Sequence, residues 1–441
     1  MRIFSSRKRP LHLGKYPMEK IRRMERPTTL IMDKVPRVPK RANFFSRAAL
    51  GDLGPKPQRE LPRIVTKYPI SEALRQTILS QVSLHNGEVA PEAAPLSDDP
   101  QELANHIKAL CYFLDADLVG ICEVPEYAWY SHDIQGNPIR PRHKYALVLL
   151  IDQGYETMAG SSGDDWISSA QSYRAYLKGS TVACTVASYI RQLGYDARPH
   201  TNRDSEVLHL PLVLLSGLGE LSRIGEVVLN PFLGPRFKTA VVTTNLPLAG
   251  DQPIDFGLQD FCSKCAKCAR ECPPAAISFG DKIMFNGYEM WKPNVEACTR
   301  YRVSNPYGAG CGRCMKVCPF NKEGIMHYRI ALWIAIHVPA LRRVLVWLDD
   351  ALEYGKRNLV WKWWLDLESR DGKIVRPAKT NQRNLRRDRQ PPRRQIIPLY
   401  PADTHPPPAS HAAHPVDRLA ARARSIRDQG RESKVREKPN T

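Results

Sequence analysis

The sequence predicts a mixed helix-and-strand body, a small cysteine-bound domain after it, and a disordered basic tail at each end. Helical and strand periods alternate between residues 101 and 248, eight cysteines crowd into residues 262 to 318, and the charge is unevenly placed. Residues 1 to 63 carry 17 Lys and Arg against 5 Asp and Glu, and residues 370 to 441 carry 18 against 7. The 306 residues between them are close to neutral, so the net charge of +20 sits at the ends. A nucleic-acid-binding domain would carry such charge as a stripe on its folded surface, so no nucleic-acid partner is expected.

Residues 1 to 63 read as a basic, proline-rich extension whose Phe44-Phe45 pins it to the body. Neither Arg22-Arg23 nor the Arg7-Lys8-Arg9 cluster leads into an apolar run with a cleavage site. No twin-arginine export signal is therefore expected, and the expected location is cytoplasmic. The body, residues 64 to 255, opens with Leu103, Ile107, Leu110 and Leu114 spaced as one face of a helix, capped by Asp99 before Pro100. DLVGICEV and HKYALVLLI follow as buried strands. The loop between them is dense in aromatics that are candidates to line a pocket, and its His132 reads as a turn or surface histidine.

Residues 166 to 193 carry the longest helical pattern, with Asp164-Asp165 to cap its start and Gly194 its end. Val182, Val186, Tyr189, Ile190 and Leu193 give its core stripe. Gly179, Ala183 and Ala187 make a second stripe of small residues, which a neighbouring helix would account for, and Tyr176 heads that stripe one turn earlier. A helix-like SEVLHLPLVLL and the strand TAVVTTNLPL complete the body. Gly217-x-Gly219 is no dinucleotide fingerprint, because the third glycine falls at Gly225, but it lets backbone approach a ligand closely.

Cys262, Cys265, Cys268 and Cys272 stand at C-x2-C-x2-C-x3-C-P spacing, and Cys298, Cys311, Cys314 and Cys318-Pro319 repeat it in altered form. That spacing holds [4Fe–4S] clusters, and in two-cluster ferredoxins the fourth cysteine of each run crosses to the other cube. The first cluster is assigned Cys262, Cys265, Cys268 and Cys318, and the second Cys272, Cys298, Cys311 and Cys314. Zinc, which favours paired C-x2-C hooks around one tetrahedral ion, fits this run poorly. Cys111, Cys122 and Cys184 lie in apolar patterns and read as buried small hydrophobes.

With TN at 201 to 202, GLGELSRIG at 217 to 225, GPRFK at 234 to 238 and DQPIDFG at 251 to 257 preceding these cysteines, the chain resembles the corrinoid and iron–sulfur reductive dehalogenases from about residue 98 to 365. The resemblance implies an α+β fold: a nitroreductase-like, cobalamin-binding catalytic domain (residues 64 to 255) stacked on a two-cluster ferredoxin-like domain (256 to 325). It implies base-off cobalamin with no histidine on cobalt, two [4Fe–4S] clusters, an organohalide substrate, and Gly179, Ala183, Gly217 and Gly219 as the smooth wall and backbone contacts of the macrocycle. Carried over by motif, the proton donor is Tyr176, held near Arg236 and Asn202, with Tyr173 and Lys238 as runners-up. Residues 326 to 369 read as a helical cover with Trp361, Trp363 and Trp364 as a lid, its longest apolar run too short to span a bilayer. Residues 370 to 441 read as a disordered basic tail. A fused flavin reductase is not expected here, so the resemblance implies a separate electron donor such as a ferredoxin, flavodoxin or flavin reductase. Two other readings share parts of the pattern: an epoxyqueuosine reductase acting on tRNA, which usually has an aspartate donor, and an electron-transfer subunit, which needs only residues 256 to 325.

Overall fold

The computed structural model describes residues 9–400, with 33, 324, 325, 393, 394 and 396 outside it, and residue 423. A four-stranded antiparallel sheet forms the body, in the order Leu118–Glu123, Tyr145–Asp152, Phe237–Thr244, Ala197–His200. The first two strands are buried nearly throughout because both faces of the sheet are covered, which is why they read as continuous apolar runs. On one face Leu147, Leu149, Ile151, Ala240 and Val242 pack with helices Pro100–Phe113 and Ser168–Gln192. On the other, Val148, Leu150 and Val241 meet Trp129 and helix His209–Leu215. The fourth strand is not predicted from sequence, since its ARPH carries no strand period.

Asp99 caps the first of these helices by accepting from the Gln101 amide at 2.8 Å. Asp165 does not cap the long helix as expected: its carboxylate accepts from Ser161 Oγ and Ser162 N, both at 2.9 Å, and holds the preceding turn instead. Gly194, at φ +88°, takes the left-handed conformation that ends the helix. The neighbour behind the small stripe is the sheet rather than a helix, because a Cβ on Gly179 would stand 3.3 Å from both Ala240 Cβ and Ile151 Cγ1.

The cysteine-bound domain has little regular structure: short helices, the hairpin Ile283–Phe285 with Tyr288–Met290, and an apolar core in which the cysteines pack among Phe256, Phe261, Trp291 and Phe320. Helices Met326–His337 and Arg342–Ala351 cover it, with Leu332, Ala335 and Val346 in the same core. Arg342 Nη1 donates to Asp260 Oδ2 at 2.7 Å, and Lys267 pairs with Asp349. Two stretches of this cover, Arg329–His337 and Pro339–Ala351, meet at a bend of 113°, and among the described residues no single helix is long and apolar enough to cross a membrane. The expected tryptophan lid is only partly formed. Trp364 is buried against Tyr68 and Trp166, whereas Trp361 and Trp363 are 40% and 63% exposed.

Both extensions differ from expectation. Within residues 9–63, Arg22–Arg23 pairs as a strand with Ile254–Asp255, the buried Arg41 and Asp52 bond at 3.1 Å, and Arg47 Nη2 donates to Glu296 Oε1 at 2.6 Å. The tail expected to be disordered folds back at its start: Lys373–Val375 pairs with Glu368–Arg370. Further on, Arg389 donates to Cys272 O at 2.7 Å, and the Gln395 amide donates to Ala275 O and Ile277 O at 3.0 and 2.8 Å. Arginine side chains that satisfy buried carbonyls and carboxylates order segments that have no apolar period of their own. The rest of that tail lies outside the described residues.

Candidate active site

Helix Leu258–Cys265 breaks at Ala266, whose φ of +51° turns the chain into the short helix Lys267–Arg270. The break sets Cys262, Cys265 and Cys268 around one small hollow, which Cys318 closes from the turn after helix Arg313–Lys316. The other four cysteines form a second group. Cys314 lies within electrostatic reach of Cys272 and Cys298, and Cys311 within reach of Cys314 and Cys298. Burial pushes the Cys265 and Cys272 thiols up to about 11, so metal must displace their protons at neutral pH. Cys272 Sγ already accepts from the Ala276 amide at 3.2 Å. Among the described residues, no three His, Cys, Asp or Glu side chains converge as a single-ion site. A cube takes one thiolate per iron and needs a wider quartet than a zinc ion does. Cys111, Cys122 and Cys184 are buried away from both groups, in the body.

Alternation along Phe237–Thr244 puts Lys238 on the same face as Ala240, toward the long helix. Tyr176 stands one turn before Gly179, which itself touches Ala240, so the two side chains meet: Lys238 Nζ lies 5.4 Å from the centre of the Tyr176 ring. Tyr173 packs edge-on to Tyr176 at 5.9 Å. Arg302 completes the group from helix Val295–Ser304. It is four residues after Cys298, hence on the same helix face, and it acts electrostatically on Tyr176, Lys238 and Cys314. Its guanidinium lies 5.6 and 5.0 Å from the Phe44 and Phe45 rings, so the extension's aromatic pair borders the site. Sequence reasoning missed Arg302. The signal was its i,i+4 spacing from Cys298.

Burial raises the Tyr176 phenol above its ordinary value, with Arg302 opposing, so it is a neutral acid at pH 7. Burial, with Arg302 adding repulsion, lowers Lys238 to about 8. Tyr176, Lys238, Cys311 and Cys314 are deeply enclosed by protein yet keep part of their surface open. A cavity of about 360 Å³ bounded by Asn43, Tyr130, His209 and Tyr288 lies between the extension, the body and the cysteine-bound domain. His209 offers it no free nitrogen: Nδ1 bonds Thr239 Oγ1 at 2.9 Å and Nε2 bonds Ser205 Oγ at 3.2 Å.

Arg236 is not the partner of Tyr176. Its Nε and Nη2 donate to the two Asp152 oxygens at 2.8 and 3.0 Å, and Nη1 donates to Asn321 Oδ1 at 2.8 Å. Its guanidinium sits 5.3 Å from the Tyr155 ring and is 1% exposed. Arg236 thus ties the sheet edge to the turn after Cys318, and Lys238, two residues on, takes the position expected of it. Asn202 Oδ1 is buried without a hydrogen-bond partner. The four residues assigned to the macrocycle are occupied by protein. Gly179 and Ala183 pack on the sheet, a Cβ on Gly217 would meet Gln252 O at 2.1 Å, and one on Gly219 would meet Leu229 O at 2.3 Å. The glycines do permit close backbone approach, but to neighbouring backbone rather than to a ligand.

A 4Fe-4S dicluster domain matches residues 261–322. The solved catabolic reductive dehalogenase NpRdhA, in complex with 3-bromo-4-hydroxybenzoic acid, is 48% identical with a TM-score of 0.90, over 97% of this chain and 64% of that one. The chain belongs to the reductive dehalogenase family. The tetrachloroethene reductive dehalogenase of Sulfurospirillum multivorans is 29% identical over 318 residues, 64% of this chain and 61% of the relative. That of Desulfitobacterium hafniense is 33% identical over 249 residues, 51% of this chain and 44% of the relative. The chain therefore spans less than two thirds of the length of these reductive dehalogenases.

Proposed function

We propose that this protein is a reductive dehalogenase that replaces the halogen of a halogenated aromatic with hydrogen, taking up two electrons and one proton and releasing halide. The observation that carries the reading is the group of Tyr176, Lys238 and Arg302 set between the sheet and the second cysteine quartet. The 48% identical NpRdhA was solved with a brominated hydroxybenzoate, which supports the aromatic class. In this reading residues 64 to 255 are the catalytic domain, and residues 256 to 325 hold two [4Fe–4S] clusters on Cys262, Cys265, Cys268 and Cys318 and on Cys272, Cys298, Cys311 and Cys314. Tyr176 and Lys238, both partly open at their surface, would border a bound corrinoid. The unpartnered Asn202 Oδ1 could accept from an amide arm of the corrinoid or from a substrate hydroxyl.

Bound cobalamin supplies low-valent cobalt for the two-electron reduction, and the clusters supply single electrons from an external donor. Tyr176 O–H gives its proton to the carbon that loses the halide. The phenolate left in an enclosed site would be costly alone, and the cations of Lys238 and Arg302 offset that cost. Arg302, permanently charged and held between two aromatic rings and the cluster ligands, keeps the field in place without titrating. Tyr173 presents its edge to Tyr176 and orients it.

The test is anaerobic reconstitution with iron, sulfide and cobalamin, followed by a chemical reductant and 3-bromo-4-hydroxybenzoate. Release of bromide with equimolar 4-hydroxybenzoate is expected. Corrinoid and iron loading without bromide release from this or any halogenated aromatic would overturn the proposal. An electron-transfer subunit would bind no corrinoid.

A further inference from the structure

One cation beside the tyrosines is not used by this mechanism. The Arg203 guanidinium lies 5.9 Å from the Tyr173 ring, on the chain turn next to Asn202, and its Nε is buried with no hydrogen-bond partner. Among the described residues it has no ion pair. Glu72, the carboxylate within its electrostatic reach, is already engaged through both oxygens by Arg75 at 2.6 and 2.5 Å and by Gln76 at 3.0 Å. Arg203 also lines an open cleft of about 700 Å³ with Lys40, Arg140 and Arg198. In that cleft Asp204 is taken by Arg198 and Lys40, Glu206 by Arg198 and Arg142, and Asp133 by the Gln135 and Asn137 backbone amides and the Asn137 side chain, so five cations face three carboxylates. Arg203 therefore stands where an accessible, cationic cleft meets the tyrosine pair.

Charge balance separates Arg203 from its neighbours. Lys238 and Arg302 both act on Cys314, and an oxidised cube with four thiolates carries a net charge of about −2, which answers those two cations. Arg203 acts on none of the cluster cysteines, and Glu72, the carboxylate in its reach, is already engaged by Arg75 through both oxygens. An unpaired, partly desolvated guanidinium is costly unless a ligand brings the missing anion, and its planar fork matches a carboxylate. From the Arg203 guanidinium past Tyr173 to the Tyr176 ring is no more than about 12 Å by the two separations of 5.9 Å. One aromatic ring bearing a carboxylate, with a hydrogen bond of about 3 Å at each end, spans that gap.

We infer that Arg203 recognises the carboxylate of the substrate at the inner end of the cleft, and that the enzyme is selective for halogenated aromatic acids over their neutral analogues. The inference rests on the proposed dehalogenation and names its substrate class. Its test compares 3-bromo-4-hydroxybenzoate with its methyl ester, which differ only in the charged group, in holoenzyme carrying Arg203 or Arg203→Met. A charge-assisted bond lost at this position raises KM for the acid about 10- to 100-fold with kcat little changed, leaves the ester unaffected, and is partly restored by Arg203→Lys. Iron and corrinoid contents should be equal in all three proteins. Calorimetric titration of non-halogenated 4-hydroxybenzoate into the same proteins gives a readout independent of turnover, with binding to the parent and its loss in Arg203→Met expected. Equal affinity in parent and variant, no binding by the parent, or an equal fall for acid and ester would overturn the inference. Failure of the parent to dehalogenate either compound, with the binding difference intact, would instead refute the dehalogenase reading.

Discussion

Replacing Arg236 separates a structural arginine from a catalytic one. Its guanidinium is 1% exposed and makes a two-pronged pair with Asp152 plus a bond to Asn321, so Arg236→Met removes three charge-assisted donors at once. Asp152 is 15% exposed and would keep the Gly154 amide at 2.9 Å as a donor to Oδ1, while Oδ2 would retain no cation. Breaking a buried pair by deleting one partner costs about 3–5 kcal/mol, and the residual amide and partial solvent contact place this case near the lower figure, about 3 kcal/mol. Turnover per loaded active site should stay within about threefold of the parent, because Tyr176 is served by Lys238 and Arg302. Urea unfolding followed by tryptophan fluorescence, beside single-turnover halide release normalised to cobalt content, measures both quantities. A variant of parental stability that has lost more than a hundredfold in single-turnover rate would refute the reasoning and return Arg236 to the proton-transfer site.

Other outcomes follow from the same geometry. Lys238→Met, which keeps the length but removes the charge, should lower dehalogenation about 100-fold while iron and corrinoid loading persist, as read by metal analysis and single turnover. Burial holds Lys238 at about 8, so its charge is present below that pH and lost above it; the rate should fall as pH rises through about 8, and Lys238→Arg should carry the plateau higher. Cys298→Ser should remove the signal of one cluster and spare the other in electron paramagnetic resonance, with about four of eight iron atoms retained. Truncation before residue 380 should weaken the second cluster specifically, because Arg389 and Gln395 bond the backbone carbonyls of Cys272, Ala275 and Ile277.

Much of the site was legible because thiolate spacing is local. The gaps within 262 to 272 and 311 to 318 fix which cysteines share a loop, and the structure sets Cys318 beside the first three and Cys272 beside Cys298 and Cys314. The helices at 100 to 113 and 168 to 192 and three of four strands were likewise carried by apolar period. What the sequence hid depends on direction rather than spacing. Arg236 and Lys238 lie two residues apart at the start of one strand, and only the course of the chain entering the sheet sends one to Asp152 and the other to Tyr176. Arg302 was hidden because its partners come from the long helix, a strand and the extension, far apart in sequence. The extensions looked unstructured because their order comes from arginine bonds to buried acids and carbonyls, which leave no period. The glycines at 217 and 219 show the reverse: a motif that permits close approach does not say to what.

The central claim is that Tyr176 delivers the proton. Single-turnover dehalogenation by Tyr176→Phe and Tyr173→Phe, each with full iron and corrinoid content, tests it most directly, since either change removes one hydroxyl and leaves the ring contact at 5.9 Å in place. The account predicts a loss of roughly a hundredfold or more for Tyr176→Phe and a much smaller loss for Tyr173→Phe. Parental rates in fully loaded Tyr176→Phe would contradict it.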